Sequence, residues 1–279
     1  MNGGLADLHL HSSASDGTDT PARVVARARD LGLAAIALTD HDTVGGFDEA
    51  AEAGRRLGIE VIPGIELSAT HRGREVHLLG YFIDPSGRTL RETLTGLQEE
   101  RERRAERIVA RLQELGLRVT LDEVRSFAGG KSIGRPHIAD ALVNGGHLPS
   151  QEVVWSEYLR QGGKAYIDRR RLGLDEAIDL VRGAGGVTSI AHPTVGFTLD
   201  EIESDLAATG VDGLETIHPR LTAQDTVTLR GICLRHGLVA TGGSDCHGGG
   251  RDRRESRAAA MGGFNVTLER VAELRARAV

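Results

Sequence analysis

The feature that most constrains the fold is the repeated order of short apolar strands and amphipathic helices. Seven apolar segments have the length and composition of strands, near residues 7–11, 33–38, 59–65, 76–83, 186–191, 211–217 and 238–241. Continuous apolar runs of this length are typical of buried parallel strands. Seven strands in β–α order predict an α/β fold, specifically a closed or nearly closed seven-stranded β/α barrel with a distorted geometry.

A helical segment interrupts this alternation once. The run EERERRAER begins at Glu99, and helical patterns continue beyond it to about residue 158. We therefore predict a barrel formed by residues 1–98 and 165–279, with a mostly helical insertion at 99–164. The insertion holds nearly equal numbers of acidic and basic residues, which indicates a solvated helix face with i,i+4 pairs.

Charge and composition exclude several classes of partner. The formal net charge is -6 and aromatic residues make up 3% of the chain, which disfavours a stable complex with nucleic acid. No apolar run approaches the roughly 18–20 residues that a membrane span needs, so we expect no membrane association. Two cysteines at positions 233 and 246 form no disulfide framework, and the chain enters a strand without a signal-like segment. These features predict a cytoplasmic protein.

Polar residues end almost every predicted strand. In parallel β/α barrels the carboxyl ends of the strands form the face that carries the chemistry. The first strand shows the pattern in DLHLHSSASDGT, where alternation turns His9 and His11 to one face. The other strand-end residues are Asp40, His41, Glu66, His77, His192, His218, Asp245 and His247.

Imidazole and carboxylate groups without thiolate pairs suit zinc, manganese or iron. So many candidate ligands imply more than one ion, with a carboxylate such as Glu66 bridging two of them. Clusters of two or three metals are typical of phosphoester hydrolysis, because they activate water and neutralise charge on the phosphoryl group.

Six motifs in this order carry a resemblance to a known family: DLHLHSSASDGT, ALTDHD, PGIELS, VHLLGY, SIAHP and SDCHG. The chain resembles the PHP (polymerase and histidinol phosphatase) family, most of all its nucleoside 3′,5′-bisphosphate phosphatases and 5′-to-3′ exoribonucleases. The resemblance implies a distorted barrel with a trinuclear metal site. It assigns His9, His11, Glu66 and Asp245 to the first metal, Glu66, His77 and His192 to the second, and Asp16, His41 and His247 to the third. Cys246, between two of these ligands, is interpreted as a packing residue.

Two other classes compete with this interpretation. Metal-dependent amidohydrolases share the HxH start but usually carry a carboxylated lysine between the metals, and here the two lysines, Lys131 and Lys164, both lie in the insertion. A regulatory protein with a vestigial metal site is the non-enzyme alternative, and it should have lost ligands. All nine ligand positions are filled, which disfavours it.

The insertion supplies candidate substrate-binding residues. Arg135 and Lys164 suit phosphate oxygens, and Pro136 opens a helix whose free N–H groups could also hold an anion. The alternative for Arg135 is a surface arginine at a helix start, and His137 could touch a phosphate or cap the helix. His218 is a candidate proton donor to the leaving oxygen, and Asp40 is a second catalytic candidate.

The sequence thus predicts a metal-dependent phosphoesterase that removes the 3′-phosphate from nucleoside 3′,5′-bisphosphates. Manganese is the metal expected from the resemblance, in two or three ions per chain, with Zn²⁺ or Fe²⁺ as alternatives. The same site could trim a short 5′-phosphorylated RNA from its 5′ end, with the insertion acting as a lid. Histidinol phosphate, or another small phosphoester, is the alternative substrate.

Overall fold

A computed structural model describes residues 4–128, 133–168, 171–248 and 261–278 of the chain. The chain divides into two compact units. The first comprises Met1–Glu92 with Arg171–Val279, and the second comprises Thr93–Arg170. Among the described residues, no helix combines the length and the apolar character that crossing a bilayer requires.

The first unit is built on one nine-stranded sheet. Its strands are β1 (Leu5–Leu10), β2 (Ala35–Leu38), β3 (Glu60–His71), β4 (Arg74–Tyr81), β5 (Leu172–Gly173), β6 (Val187–Ile190), β7 (Gly213–Ile217), β8 (Val239–Gly242) and β9 (Val266–Thr267). Seven of them follow one another in the order β8-β7-β6-β4-β3-β2-β1. The two-residue strand β9 pairs with β1 and the two-residue strand β5 with β3.

Residues after β8 return to β1 and bring the two ends of the sheet together. Asp245 donates its backbone N–H to the carbonyl oxygen of His9 at 2.9 Å, and His11 donates to that of Cys246 at 3.0 Å. Leu10 and Cys246 form a parallel bridge at the same place. The sheet is therefore a nearly closed barrel, and the predicted α/β barrel fold is confirmed.

Among the seven strands predicted from the sequence, one runs against the expected parallel pattern. β4 is antiparallel to both β3 and β6. A two-residue turn of Arg72 and Gly73, with φ of 49° and 77°, joins β3 to β4. Positive φ at both central residues is typical of a tight hairpin turn that matches the twist of the strands. The consequence is that β4 begins, rather than ends, at the edge where neighbouring strands end.

Helices cover the sheet of the first unit. They are α1 (Pro21–Asp30), α2 (Phe47–Leu57), α7 (Leu174–Gly183), α8 (Leu199–Ser204), α9 (Ala223–His236) and α10 (Leu268–Arg275), and α3 (Arg88–Glu114) begins in this unit. Thr20 caps α1 by accepting the backbone N–H of Arg23 at 3.3 Å. Pro21 is the first residue of this helix, where a missing N–H costs no hydrogen bond.

Buried apolar residues of α1, α2, β1 and β2 form one core cluster that includes Cys246. This cysteine is therefore a packing residue, as predicted.

The second unit has a hydrophobic core of its own. It contains most of α3, followed by α4 (Leu121–Ala128), α5 (Arg135–Asn144), the short helix α6 (Gln151–Val153) and a π-helical turn at Val154–Leu159. Fifteen buried apolar side chains, among them Ile108, Leu112, Val124 and Leu142, form the core of this unit. Burial of this apolar surface contributes favourably to the folding of the unit.

Candidate metal centre

The first pair of candidate ligands lies at the end of β1, with His9 on the strand and His11 one residue after it. His9 and His11 are fully buried, with ring centroids 5.2 Å apart, as expected for alternate residues on one strand face. The chain then turns sharply, because Ser15 and Gly17 both donate backbone N–H groups to the carbonyl oxygen of Ser12. A Cβ atom at Gly17 would lie 2.7 Å from the carbonyl oxygen of His11, so the turn requires glycine. This turn brings Asp16 back beside the histidines.

A buried carboxylate from the next strand holds the same turn. Asp40 Oδ1 accepts the backbone N–H of Ser12 at 2.7 Å and the hydroxyl of Ser15 at 2.6 Å. Asp40 Oδ2 accepts the hydroxyl of Ser12 at 2.7 Å. Hydrogen bonds to a charged acceptor are the stronger class. Asp40 was predicted as a catalytic residue. In the structure its oxygens accept hydrogen bonds from the loop that carries Asp16.

The first candidate metal site combines β1 with the residues after β8. The four donor atoms are His9 Nε2, His11 Nε2, Glu66 Oε2 and Asp245 Oδ1. Each histidine nitrogen lies 3.2–3.4 Å from each of the two carboxylate oxygens. Donors that sit about 2.0–2.1 Å from one ion at tetrahedral angles lie about 3.3–3.4 Å apart. The spacing therefore fits one ion between them.

Orphaned donor atoms support a metal at this place. His9 Nε2, both ring nitrogens of His11, His41 Nδ1 and Glu66 Oε2 are buried without a hydrogen-bond partner. Unsatisfied buried polar atoms are costly and rare in proteins, and here they point at one another. A divalent ion would satisfy several of them at once, so these residues fit the metal that the donor chemistry implies.

Glu66 lies between groups of histidines on different strands. Its Oε1 is 2.8 Å from His77 Nδ1 and 3.2 Å from His192 Nε2. Its Oε2 serves the first site and is also 3.1 Å from His41 Nδ1. A carboxylate with each oxygen in a different group has the geometry of a bridging ligand. His77 reaches it because the start of the antiparallel strand β4 lies at this edge.

A third group joins the turn after β1 to the turn after β8. Asp16 Oδ1 lies 3.3 Å from His247 Nε2 and 4.0 Å from His11 Nδ1, and the ring of His41 lies 4.6 Å from that of His11. Asp16, His11, His41 and His247 can place one donor atom each within 4.8 Å of the others. The structure thus brings all nine predicted ligand residues into one cluster.

Two of these residues have strained backbones. His192 has φ of 28° and Asp245 has φ of 52°, in the left-handed region that side chains other than glycine rarely adopt. Such strain persists only where the surroundings hold it, and it concentrates at functional sites. Asp245 is held by the hydrogen bond from its backbone N–H to His9.

Neighbouring histidines and carboxylates shift one another's pKa values in this cluster. Burial by itself lowers the pKa of His11, but the adjacent Asp245 and Glu66 outweigh burial and raise it to about 10. The pKa of His77 is raised to about 9, because Glu66 outweighs burial there too. His41 differs, since burial dominates and lowers its pKa to about 3. The carboxyl pKa of Glu66 is held well below its usual value by these histidines, in spite of burial.

Glu215 is a buried residue of the site that the sequence analysis did not single out. Its Oε1 lies 3.1 Å from His9 Nδ1, and its Oε2 accepts the backbone N–H of His192 at 2.7 Å. Burial raises the pKa of this carboxyl, but the charges of His9 and His218 outweigh burial and lower it. The signal that could have found it is an acid inside an apolar strand, three residues before His218.

His218 has a defined arrangement of ring nitrogens. Its Nδ1 accepts the backbone N–H of Arg220 at 3.1 Å, so in the neutral ring the proton is on Nε2. Nε2 lies 3.4 Å from Asp245 Oδ2. His218 therefore presents a ring N–H beside the ligand cluster.

The predicted substrate-binding residues lie in the second unit. Arg135 donates to the carbonyl oxygen of Leu159 at 3.3 Å. Lys164 forms an ion pair of 2.6 Å with Glu157. His137 is buried, and its Nδ1 accepts the backbone N–H of Gly134 at 3.0 Å, which caps α5. Of the two roles considered for His137, the structure shows the helix cap.

Comparison with known proteins identifies the family. Residues 7–122 match the PHP domain family. A 3′,5′-nucleoside bisphosphate phosphatase from Chromobacterium violaceum is 37% identical over 254 residues, which cover 88% of this chain and 89% of that protein. The chain belongs to the PHP domain family.

Other PHP relatives agree with the fold and with the type of chemistry. A 5′-3′ exoribonuclease from Haemophilus influenzae is 34% identical over 86% of this chain and 89% of that protein. A solved structure from Bifidobacterium adolescentis, assigned as a metal-dependent phosphoesterase, superposes with a TM-score of 0.87 at 35% identity. It covers 100% of this chain and 98% of that one. The predictions of a PHP fold and of a metal-dependent hydrolase of phosphoester bonds are confirmed.

Proposed function

We propose that the protein removes the 3′-phosphate from nucleoside 3′,5′-bisphosphates. The observation that carries the proposal is the cluster of nine candidate ligands, all histidines and carboxylates and with Glu66 among them, at the edge of the barrel. The bisphosphate phosphatase from C. violaceum, with 37% identity over most of both chains, supports this substrate class.

The cluster would hold two or three divalent ions, and we propose Mn²⁺ as the metal. The first ion would be bound by His9, His11, Glu66 and Asp245. The second would be bound by Glu66, His77 and His192, and the third by Asp16, His41 and His247. Ions in this arrangement supply activated water at neutral pH and neutralise charge that develops on the phosphoryl oxygens.

The protein's own residues complete the reaction. His218 holds a proton on Nε2 because Arg220 occupies the other ring nitrogen, and this N–H lies 3.4 Å from Asp245 at the metal centre. We assign His218 as the donor that protonates the departing 3′-oxygen. Asp40 holds the turn that carries Asp16, so its part in catalysis is to keep that ligand in place.

The second unit supplies the candidate residues for the other phosphate. A bisphosphate needs a clamp beyond the metal ions, and a guanidinium group with a fixed fork suits phosphate oxygens. We propose that Arg135 and Lys164 bind the 5′-phosphate, with Lys164 exchanging its ion pair with Glu157 for the substrate. His137 supports Arg135 indirectly by capping the helix that Arg135 begins.

Short 5′-phosphorylated RNA is the second candidate substrate. Its first phosphodiester presents the same 3′-oxygen and phosphorus, with the next nucleoside esterified to one of the other phosphoryl oxygens. The 5′-3′ exoribonuclease from H. influenzae favours this possibility. We expect mononucleotides and the ends of short RNAs as substrates, rather than a stable nucleic-acid complex, because the net charge is -6.

We further propose a cytoplasmic location, where Cys233 and Cys246 would stay as free thiols.

The first experiment is phosphate release from adenosine 3′,5′-bisphosphate by Mn²⁺-loaded protein, with identification of the nucleotide product. Adenosine 5′-monophosphate as product is the expected result. Adenosine 3′-monophosphate would reverse the proposed orientation of the substrate. No release from the bisphosphate, with release from histidinol phosphate, would refute the proposed substrate in favour of the alternative.

A further inference from the structure

Glu215 connects two strands of the candidate metal centre. It lies on β7, is fully buried, and has both carboxylate oxygens engaged. Oε1 contacts the ring of His9 on β1 at 3.1 Å, and Oε2 accepts the backbone N–H of His192 after β6 at 2.7 Å. A buried carboxylate is costly unless it is paired, so both contacts are needed to keep it in this position.

The contact with His9 defines which ring nitrogen carries the proton. A carboxylate only accepts hydrogen bonds, so His9 Nδ1 must donate to Glu215. In the neutral ring His9 Nε2 then carries the lone pair that can bind a metal, and this atom faces Glu66 Oε2 and Asp245 Oδ1 at 3.3 and 3.4 Å. A carboxylate behind a ligating histidine fixes the ring and makes it a better ligand.

The contact with His192 holds a strained residue of the backbone in place. His192 has φ of 28°, which a residue with a side chain adopts at a cost of the order of 1–3 kcal/mol. Its N–H is held by Glu215, and its ring Nε2 lies 3.2 Å from Glu66. Without the carboxylate, the strained turn would lose the hydrogen bond that holds its N–H.

We propose that Glu215 is a positioning residue of the metal centre, with one oxygen orienting His9 and the other holding the turn of His192. Through these contacts it serves the ions on both sides of Glu66 without ligating either. The inference rests on the metal centre of the proposed function, but on no particular substrate. Its test therefore measures metal binding in the absence of substrate.

The main variant is Glu215→Gln, which preserves size and shape. The backbone N–H of His192 must face the amide oxygen, so the amide NH₂ group faces His9 Nδ1. That nitrogen then has to accept, and the proton moves to His9 Nε2, the atom proposed to bind metal. We expect Mn²⁺ affinity to fall ten- to a hundred-fold for at least one ion, the range typical when the partner of a metal-bound histidine is removed.

The matched control is Thr216→Val on the same strand. Thr216 is also fully buried, and its hydroxyl donates to the carbonyl oxygen of Thr241 at 3.3 Å. The control removes a buried hydrogen bond without touching a proposed ligand, so we expect Mn²⁺ stoichiometry and affinity to stay unchanged. Mn²⁺ titration by competition with a chelator, together with elemental analysis, measures both quantities.

A second readout is the tautomer of the neutral His9 ring in metal-free protein, recorded at alkaline pH because Glu66, Asp245 and Glu215 outweigh burial and raise the pKa of this histidine. Two-bond ¹H–¹⁵N correlations of the imidazole rings distinguish Nδ1–H from Nε2–H, and His9→Gln identifies the signal. We expect Nδ1–H in the parent protein and Nε2–H in Glu215→Gln, a change that general loss of stability does not produce. An unchanged tautomer, or Mn²⁺ affinity within threefold of the parent, would overturn the proposal.

Glu215→Asp keeps the proposal testable if the glutamine variant does not fold. The charge remains, but the side chain is one methylene shorter and cannot reach both partners, which belong to different strands. We expect the folded variant to retain the Nδ1–H tautomer or the His192 contact, but not both, and to bind Mn²⁺ about tenfold more weakly. Full affinity in this variant would also overturn the proposal.

Discussion

Replacement of Asp40 tests whether this residue acts by chemistry or by holding the turn after β1. Its carboxylate accepts three hydrogen bonds, from the backbone N–H and hydroxyl of Ser12 and from the hydroxyl of Ser15, at 2.6–2.7 Å. All three residues are buried, so water cannot replace the lost acceptor without rearrangement. We therefore expect replacement of Asp40 to lower the stability of the protein and to remove the ion nearest Asp16.

The magnitude follows from the number and type of these hydrogen bonds. Bonds to a charged acceptor contribute about 1.5–3 kcal/mol each, and a buried donor left unpaired costs about 1–3 kcal/mol. Asp40→Ala leaves the N–H of Ser12 unpaired, whereas the hydroxyls of Ser12 and Ser15 can rotate toward other acceptors, so we expect the free energy of unfolding to fall by about 3–5 kcal/mol rather than by the full sum. Asp40→Asn can keep its oxygen toward the same N–H, so we expect a fall of only about 1–2 kcal/mol. For a chain of this size, 1 kcal/mol corresponds to about 2–4 °C in Tm.

The assay is urea denaturation of metal-free protein, followed by Mn²⁺ stoichiometry and turnover of the loaded protein. Asp212→Asn is the matched control, because Asp212 Oδ2 accepts the backbone N–H and hydroxyl of Thr188 at 2.9 Å without contacting the predicted ligands. The control should lose stability but keep its metal. Normal stability and full Mn²⁺ loading in Asp40→Ala, with turnover abolished, would refute the positioning role and restore a chemical one.

Three further predictions concern ligands, substrate and pH. Asp245→Asn should lose the first ion and abolish turnover of every phosphoester, since its Oδ1 lies 3.2–3.4 Å from two histidine nitrogens; an active variant would remove Asp245 from the ligand set. Arg135→Ala should raise KM for the bisphosphate at least tenfold while leaving KM for an aryl phosphate nearly unchanged; equal effects on both would contradict the phosphate clamp. The pKa values of His11 and His77, raised to about 10 and about 9, mean that Mn²⁺ must displace protons, so its affinity should increase about tenfold per pH unit for each proton released. Calorimetric titrations at pH 6, 7 and 8 measure this increase, and a constant affinity would contradict it.

The candidate ligand residues stand out in the sequence because each one interrupts an apolar pattern at a place where the chain leaves the sheet. His9, Glu66 and Asp245 are conspicuous in this way, and parallel strands bring such ends to one edge. His77 was expected at the same edge, although its strand runs the other way. The positive φ angles of Arg72 and Gly73 produce that reversal, and a short Arg-Gly pair did not by itself indicate it.

The supporting contacts could not be predicted in the same way. Glu215 contacts His9, which is 206 positions away in the sequence, and the choice of which oxygen serves which partner depends on the barrel being formed. Asp40 stands beside His41 in the sequence, whereas its hydrogen-bond partners depend on how the turn after β1 is folded. Residue type and spacing indicate which groups meet, but not the direction in which each hydrogen bond runs.

The arrangement of ligands also bears on how the barrel closes. β1 and the residues after β8 meet through two backbone hydrogen bonds and one bridge, which is a short ladder compared with the eight residue pairs of β3 and β4. His9 and His11 lie on one side of this junction, and Asp245 and His247 lie on the other. Donor atoms from both sides form the first and third groups, and His11 belongs to both. Any ligand that binds only the folded state stabilises it by mass action. The candidate metal centre therefore lies at a short junction of the barrel, and the same ions that would serve the reaction would also hold the two ends of the sheet together.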